Sequence, residues 1–550
     1  MKKFTLIISI FFSLSIYSQN YKITYLKSSN GNLIENQDAI WIFTDAKNTR
    51  VSSESIRNQK ATFPFEEANI DRSNNSFYQI ATLKGSEVIA TKDSVTLTKQ
   101  TFEYLNDTKK ILGYNCKKAK TIVNSNTIEF WYTEELKVKG SPTILGQNLG
   151  LVLEMIRNGN FVIAAIKVEK IKSPPYFHEA KVVNIVDGLT YKDLLWKSRF
   201  TTVEIFKEQI INFSSESKSN DSILRFANGT IAIRKVKFPA IKSGSQIFAD
   251  VTEQSNGDAY DRTGSFFIIP TDKELSFLNG LNDGVKSLPI YSNGNGKDYQ
   301  GVVVTENYNP IIEMMRFFTP FGVKQYNYLE LKDKNWHDKV MYRQDISDLA
   351  SLLSKKEVWI GINIGNYDKG GHKVSANITI HPEESLSKSK QIIPLFCTNN
   401  VMEMAGQEYG TMFNNEKGLE VNFTLDKPMK NAKLRYITTG HGGWENGDEF
   451  VPKKNSIYLN GKETFSFTPW RQDCGSYRLY NPASGNFSNG LSSSDYSRSN
   501  WCPGMVTFPI YIDLGDLEIG THAMQIKIPQ GLPEGTSFSS WNISGVLIGE

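Results

Sequence analysis

Apolar residues in this chain recur mainly with a period of two, and rarely with the 3.6-residue period of a helix. Runs such as Thr230–Lys237 (TIAIRKVK), Ser265–Ile269 (SFFII) and Gly301–Thr305 (GVVVT) are short and β-branched, and Gly, Asn and Asp turns separate them. The first third has the same character, with strands predicted at Tyr21–Tyr25, Ile40–Phe43, Phe77–Leu83, Val95–Phe102, Thr127–Tyr132 and Phe161–Val168. A single short helix is predicted, over Tyr191–Lys197. The chain therefore reads as all-β.

Breaks in the pattern divide it. Pro174-Pro175 marks a stiff boundary that closes a β-rich N-terminal domain over 19–175. Residues 176–198 read as a linker carrying the short helix. A second β unit over 199–384 has the short strands of a sandwich or jelly roll. The polar stretch 385–390 joins it to a third unit of the same kind over 391–550. Residues 1–18 read as an export signal: Lys2 and Lys3 open it, and an apolar run from Phe4 to Tyr17, too short for a membrane span, precedes Ser18-Gln19. A secreted or periplasmic protein, free of the membrane after cleavage and monomeric, is expected.

Charge narrows the classes. With 62 Lys+Arg against 58 Asp+Glu, the formal net charge of +4 gives no global basic field for nucleic acid. The 6 His are scattered and there is no CxxC, so no metal site and no cofactor is predicted. Of the 4 Cys, Cys474 and Cys502 bracket a Gly/Ser/Asn-rich loop, although spacing alone does not fix connectivity. Closing that loop would contribute about 3–4 kcal/mol in the chain-entropy model. Cys116 and Cys397 read as free and buried.

Three blocks carry candidate chemistry: Asp258-Ala-Tyr-Asp-Arg262, the glycine-rich Ile437–Phe450 (ITTGHGGWENGDEF) and Arg498-Ser-Asn-Trp-Cys-Pro-Gly504. Gly442-Gly443 and Gly447 let the second block turn and present Trp444 and Glu449. It is no phosphate loop, since no Lys-Ser/Thr and helix follow it. Each residue also has a bland reading. Asp261 would be a solvated loop carboxylate paired with Arg262, Trp501 would be core packing beside a half-cystine, and His441 would hold the glycine loop.

The order of the blocks resembles the peptide:N-glycosidase F family, bacterial amidases that remove N-linked glycans. Asp258–Arg262 resembles the family's Asp-Glu-Trp-Asp-Arg segment, and Arg316-Phe-Phe-Thr-Pro-Phe-Gly322 resembles its Arg-Phe-Ile-Thr-Pro-Tyr-Trp. Asp448-Glu449-Phe450 resembles Ala-Glu-Trp, and Arg498–Met505 resembles Arg-Ala-Gly-Trp-Cys-Pro-Gly-Met, the most specific match. The N-terminal domain, through Thr101–Ala119, Ile128–Tyr132 and Gly140–Glu154, resembles GLPGLI-type exported domains of Bacteroidetes. The resemblance implies two adjacent antiparallel jelly rolls behind an added β-rich domain, and supports a Cys474–Cys502 disulfide. It makes Asp261, Glu449 and Arg498 catalytic, and Tyr260, Arg262, Trp444, Phe450 and Trp501 substrate-binding. The family's two further disulfides are absent, and Tyr260 and Phe450 replace Trp residues. A third family acid falls near Asn363 and stays unassigned.

The implied reaction is hydrolysis of the amide between Asn and the first GlcNAc on a glycopeptide or glycoprotein. It requires an activated water and stabilisation of a carbonyl oxygen becoming negative. A non-catalytic, lectin-like carbohydrate-binding protein is the alternative. A copper monooxygenase is weaker, because it needs clustered His and Met ligands.

Overall fold

The computed structural model describes residues 19–175, 177, 184–322, 331–383, 390–442, 446–482, 492–532 and 538–550. The expected export signal, the segment Ser385–Ser389 of the second connector, and Trp444 lie outside them. The chain is all-β and divides into two compact units, ending at Phe200 and beginning at Thr201.

The first unit is built on one 13-stranded sheet. Its central strand Asn20–Ser29 buries alternate residues Tyr21, Ile23 and Tyr25, as a strand with one covered face should. Tyr25 donates its hydroxyl to the carbonyl of Val152 at 2.7 Å. The predicted strand Val95–Phe102 is not formed. Asp93 accepts the backbone N–H groups of Val95 and Thr96, at 2.8 and 2.9 Å, and turns the chain there. Strands Val88–Asp93 and Glu103–Ile111 flank that turn. Residues 184–197, expected within a connecting stretch, belong to this unit. Asn184–Ile185 pairs in parallel with Ile89–Ala90. The helix is longer than predicted, Gly188–Lys197, because Asp187 caps its N-terminus; it buries Tyr191 and Leu195 against Ala81, Leu83 and Ile89.

The second unit contains two jelly rolls. In the first, a four-stranded sheet (Thr201–Ile211, His372–His381, Gln246–Ser255, Lys339–Asp345) faces a six-stranded one. The six-stranded sheet carries Ile231–Lys237, Glu357–Ile364, Thr263–Ile269 and Ile312–Phe318 at its centre. Phe266, Phe317, Ile362 and Val374 fill the core between the sheets. The second jelly roll pairs the sheet Gln391–Cys397, Ser540–Gly549, Met429–His441, Ile510–Leu517 with the sheet Leu419–Leu425, Gly520–Lys527, Asn455–Leu459, Lys462–Phe467. The predicted strand at Gly301–Thr305 is reduced to isolated bridges; Val304 donates its N–H to Leu395 and Val302 accepts that of Cys397, both at 2.9 Å.

A buried polar seam joins the two jelly rolls. Glu313 and Arg316, both fully buried, form an ion pair at 2.6 Å. Arg316 reaches across to Thr439 and to the carbonyl of Asn542, while Asn399 and Ser544 donate to Glu313. Arg435 returns the contact by donating to the carbonyls of Glu313 and Met314, at 2.7 and 3.0 Å. Strand Val506–Thr507, from the C-terminal half, pairs with Arg316–Phe317 and extends the first jelly roll's sheet.

Candidate active site

Above this seam the two jelly rolls bring three of the predicted residues together. Asp261 stands in the turn between strands Gln246–Ser255 and Thr263–Ile269. That turn is pinned by the Arg316–Gly322 segment. Thr319 accepts the N–H of Arg262 on its hydroxyl and donates its own N–H to the carbonyl of Arg262, both at 2.9 Å; Gly322 donates to the carbonyl of Ala259 at 3.1 Å.

Arg498 arrives from the second jelly roll. Its backbone is fixed by reciprocal bonds with Arg471, at 2.8 and 2.9 Å, close to the Cys474–Cys502 disulfide. The pairing suggested by the sequence is thus formed, and Cys116 and Cys397 are buried and free. Arg498 Nη1 donates to Asp261 Oδ2 at 3.1 Å and to Glu449 Oε1, and Nη2 donates to the carbonyl of Ser493 at 2.6 Å. The guanidinium side chain is 1% exposed, whereas each carboxylate keeps 17% exposure and so faces solvent in part. Burial raises the pKa of both carboxyls against the lowering effect of Arg498. Glu449 also faces the Asp261 charge and reaches about 7. The pair therefore holds a proton into the neutral range.

Glu449 is placed by its neighbours. Asp448 is fully buried and accepts the indole N–H of Trp541 at 2.7 Å and the N–H of Gly531 at 3.0 Å. The glycine loop matches the need for close approach: a Cβ at Gly440 would lie 2.8 Å from Trp541, and Gly442 takes a φ of +75° with the carbonyl of Phe538 where a Cβ would sit. His441 stacks on Phe318 and shares a hydrogen bond with the Thr439 hydroxyl, which also accepts from Arg316. Burial and the nearby Arg316 and Arg498 charges lower its pKa to about 3, so the imidazole is neutral.

One aromatic residue, Trp501, occupies a place that differs from a sugar-stacking role. Trp501 is buried: Phe318 stacks on it at 4.4 Å, its indole N–H donates to the carbonyl of Gly440 at 2.9 Å, and Arg498 lies 4.3 Å from its ring centroid. Phe450 lies 5.0 Å from the same guanidinium. Both rings hold Arg498 by cation–π contact, so Trp501 has no open face for a sugar. Tyr260, by contrast, is 55% exposed and lies beside Arg262. Arg262 does not pair with Asp261; its ion pair is with Asp258, at 2.6 Å.

Reading the sequence missed the second layer of the site. Asp258 is buried against His372, which also meets Glu253, and exposed Tyr367 lies within 5.7 Å of the Arg262 guanidinium and donates to Glu403. His372 opens a strand of alternating burial, and that pattern reads as core; only the fold brings Asp258 to it. Asn363 is buried and donates to the carbonyls of Thr230 and Val401, leaving no acid at that position. Among the described residues no group of three or more His, Cys, Asp or Glu side chains is arranged to hold a metal ion.

Two packed jelly rolls that share one carboxylate–guanidinium cluster define the class of architecture. Three family models match: the N-terminal domain of an N-glycanase peptide over residues 23–193, the peptide-N-glycosidase F N-terminal domain over 202–380, and its C-terminal domain over 408–548. Two solved structures of PNGF-II, in space groups C2 and P21, are each 57% identical to the chain. They cover 97% and 96% of it, over 98% and 99% of their own lengths, with TM-scores of 0.90 and 0.91. PNGase F, a glycosylasparaginase from Flavobacterium meningosepticum, matches at 18% identity over 64% of this chain and 96% of its own, with a TM-score of 0.43. No curated protein matches the sequence. The chain belongs to the peptide-N-glycosidase F family.

Proposed function

We propose that this protein is an exported amidase that hydrolyses the bond between Asn and the first GlcNAc of N-linked glycans, releasing the whole glycan as a glycosylamine and leaving Asp. The observation that carries this reading is one buried guanidinium bonded to two partly exposed carboxylates, each contributed by a different jelly roll. An amide resists water because its carbonyl is a weak electrophile. Hydrolysis needs a base near the water and positive charge or donors near the oxygen that becomes negative. In this reading Asp261 takes the proton of the attacking water and Glu449 holds the water and the sugar hydroxyls. Arg498 keeps the two carboxylates in register and offsets the charge that develops. Tyr260 and Arg262 form the exposed lip that meets the substrate, with Trp444 assigned there from sequence. Phe450 and Trp501 hold Arg498.

The raised Asp261 carboxyl fits this role, since a higher pKa makes the carboxylate a stronger base. No cofactor enters the scheme. The test is mass spectrometry of an N-glycosylated peptide incubated with the protein and with Asp261→Asn. Loss of the whole glycan with a gain of about one mass unit at Asn, absent in the variant, is the expected result. One GlcNAc left on Asn would mean an endoglycosidase. Retention of an unchanged glycopeptide would mean a lectin.

A further inference from the structure

Beneath the lip of the site lies a line of four alternating charges, of which the scheme above uses only the last, Arg262. Glu253, on strand Gln246–Ser255, is fully buried and meets His372 Nδ1 at 2.8 Å. His372, at the start of strand His372–His381 and also fully buried, meets Asp258 Oδ2 through Nε2 at 3.2 Å. Asp258 in turn accepts Arg262 Nε at 2.6 Å and Nη2 at 3.1 Å. The line ends at the guanidinium whose charge acts on Asp261 and on Glu403.

We propose that His372 is a positioning residue for the hydrolysis: as a buried imidazolium it fixes Asp258, and through Asp258 it keeps the Arg262 guanidinium off Asp261. This rests on the amidase reading of the site.

The geometry makes the competition plain. Arg262 stands next to Asp261 in sequence and within reach of its field, yet its Nε and Nη2 both donate to Asp258. The two ring nitrogens of His372 are each committed to a carboxylate, so the ring has no rotational choice. The main chain adds to the hold, because Asp258 Oδ1 accepts the Tyr260 N–H at 3.2 Å and the Asp258 N–H donates to the carbonyl of Gly371 at 3.3 Å. Burial opposes the charge on His372, but its bonds to Asp258 and Glu253 raise its pKa to about 9, and against burial the His372 and Arg262 contacts hold Asp258 well below the usual carboxylate range. Without the imidazolium, two buried carboxylates would face each other and Asp258 would take up a proton or move. Arg262 would then lose half its bidentate partner and turn to Asp261, the nearest remaining anion. A base paired with a guanidinium is a weaker base.

The test is a double-mutant cycle on glycopeptide turnover with wild type, His372→Gln, Arg262→Gln and the double variant. His372→Gln should lower kcat by about tenfold or more while KM changes little, because misplacement at a reacting group costs rate. In the Arg262→Gln background the same change should cost almost nothing. An equal loss in both backgrounds, or no loss at all, overturns the proposal. If His372→Gln does not fold, Asp258→Asn breaks the same line at the next link and is read by the same cycle. A crystal structure of the variant decides the clamp independently of turnover. Arg262 displaced from Asp258 supports it, and Arg262 unmoved overturns it. A wild-type protein inert toward glycopeptides would instead count against the amidase reading.

Discussion

Replacing Glu449 with Gln should destroy activity and, above neutral pH, stabilise the protein. The Glu449 carboxyl is raised from its ordinary 4.5 to about 7 by burial and by the Asp261 charge, against the pull of Arg498. Between those two pH values the folded chain holds a proton that the unfolded chain has lost, so stability falls as pH rises through this window. At about 1.4 kcal/mol for each pH unit, the wild type carries about 1 kcal/mol of penalty at pH 5 and about 3 kcal/mol at pH 8. Gln cannot ionise, and its carbonyl still accepts from Arg498. The variant should therefore gain little at pH 5 and about 3 kcal/mol at pH 8. For a unit of this size that is about 4 °C in Tm. Calorimetry of both proteins at the two pH values measures it. Parallel pH dependences, or a variant less stable at pH 8, would refute the view that the pair is held charged against its own burial.

Wild-type kcat/KM should rise with pH through an ionisation near 7 that belongs to the Asp261–Glu449 pair, and Glu449→Gln should shift the ionisation of the remaining carboxyl downward; a pH–rate profile on glycopeptide checks the wild type, and NMR titration of the variant checks the shift. Arg498→Lys should fold but lose about a hundredfold in kcat, since one ammonium cannot bridge both carboxylates and the Ser493 carbonyl as the guanidinium does. Replacing Cys474 and Cys502 together by Ser opens a loop of sequence separation 28. It should cost about 3–4 kcal/mol in urea unfolding. Glu313→Gln should cost about 3 kcal/mol or more by leaving Arg316 without its counterion in the seam, read by the same unfolding assay.

Local pattern located most strands, because each residue's burial repeats the period-two alternation, as Tyr21, Ile23 and Tyr25 illustrate. It failed at Val95–Phe102, where an Asp side chain captures two backbone donors and breaks an apolar run. The candidate acids and Arg498 were legible through motifs, since each sits in a short conformationally constrained block. The partners of those residues were not. Arg262 prefers Asp258 to its neighbour Asp261 because Asp258 is already fixed by His372, more than a hundred residues away in the chain. The motif resemblance made Trp501 substrate-binding, but the fold buries it with Phe318 against its ring. Contacts that cross from one strand system to another leave no periodic trace, and that is where the supporting layer of the site resides.

The division of the acids between two jelly rolls has a consequence for synthesis. A chain that has emerged only as far as residue 384 contains Asp261 but neither Glu449 nor Arg498. Even a nearly complete chain lacks strand Ser540–Gly549, which lies at the centre of its sheet beside Met429–His441 and whose Asn542 carbonyl receives Arg316. On the amidase reading the cluster is a coincidence device, silent until strand Ser540–Gly549 has joined its sheet.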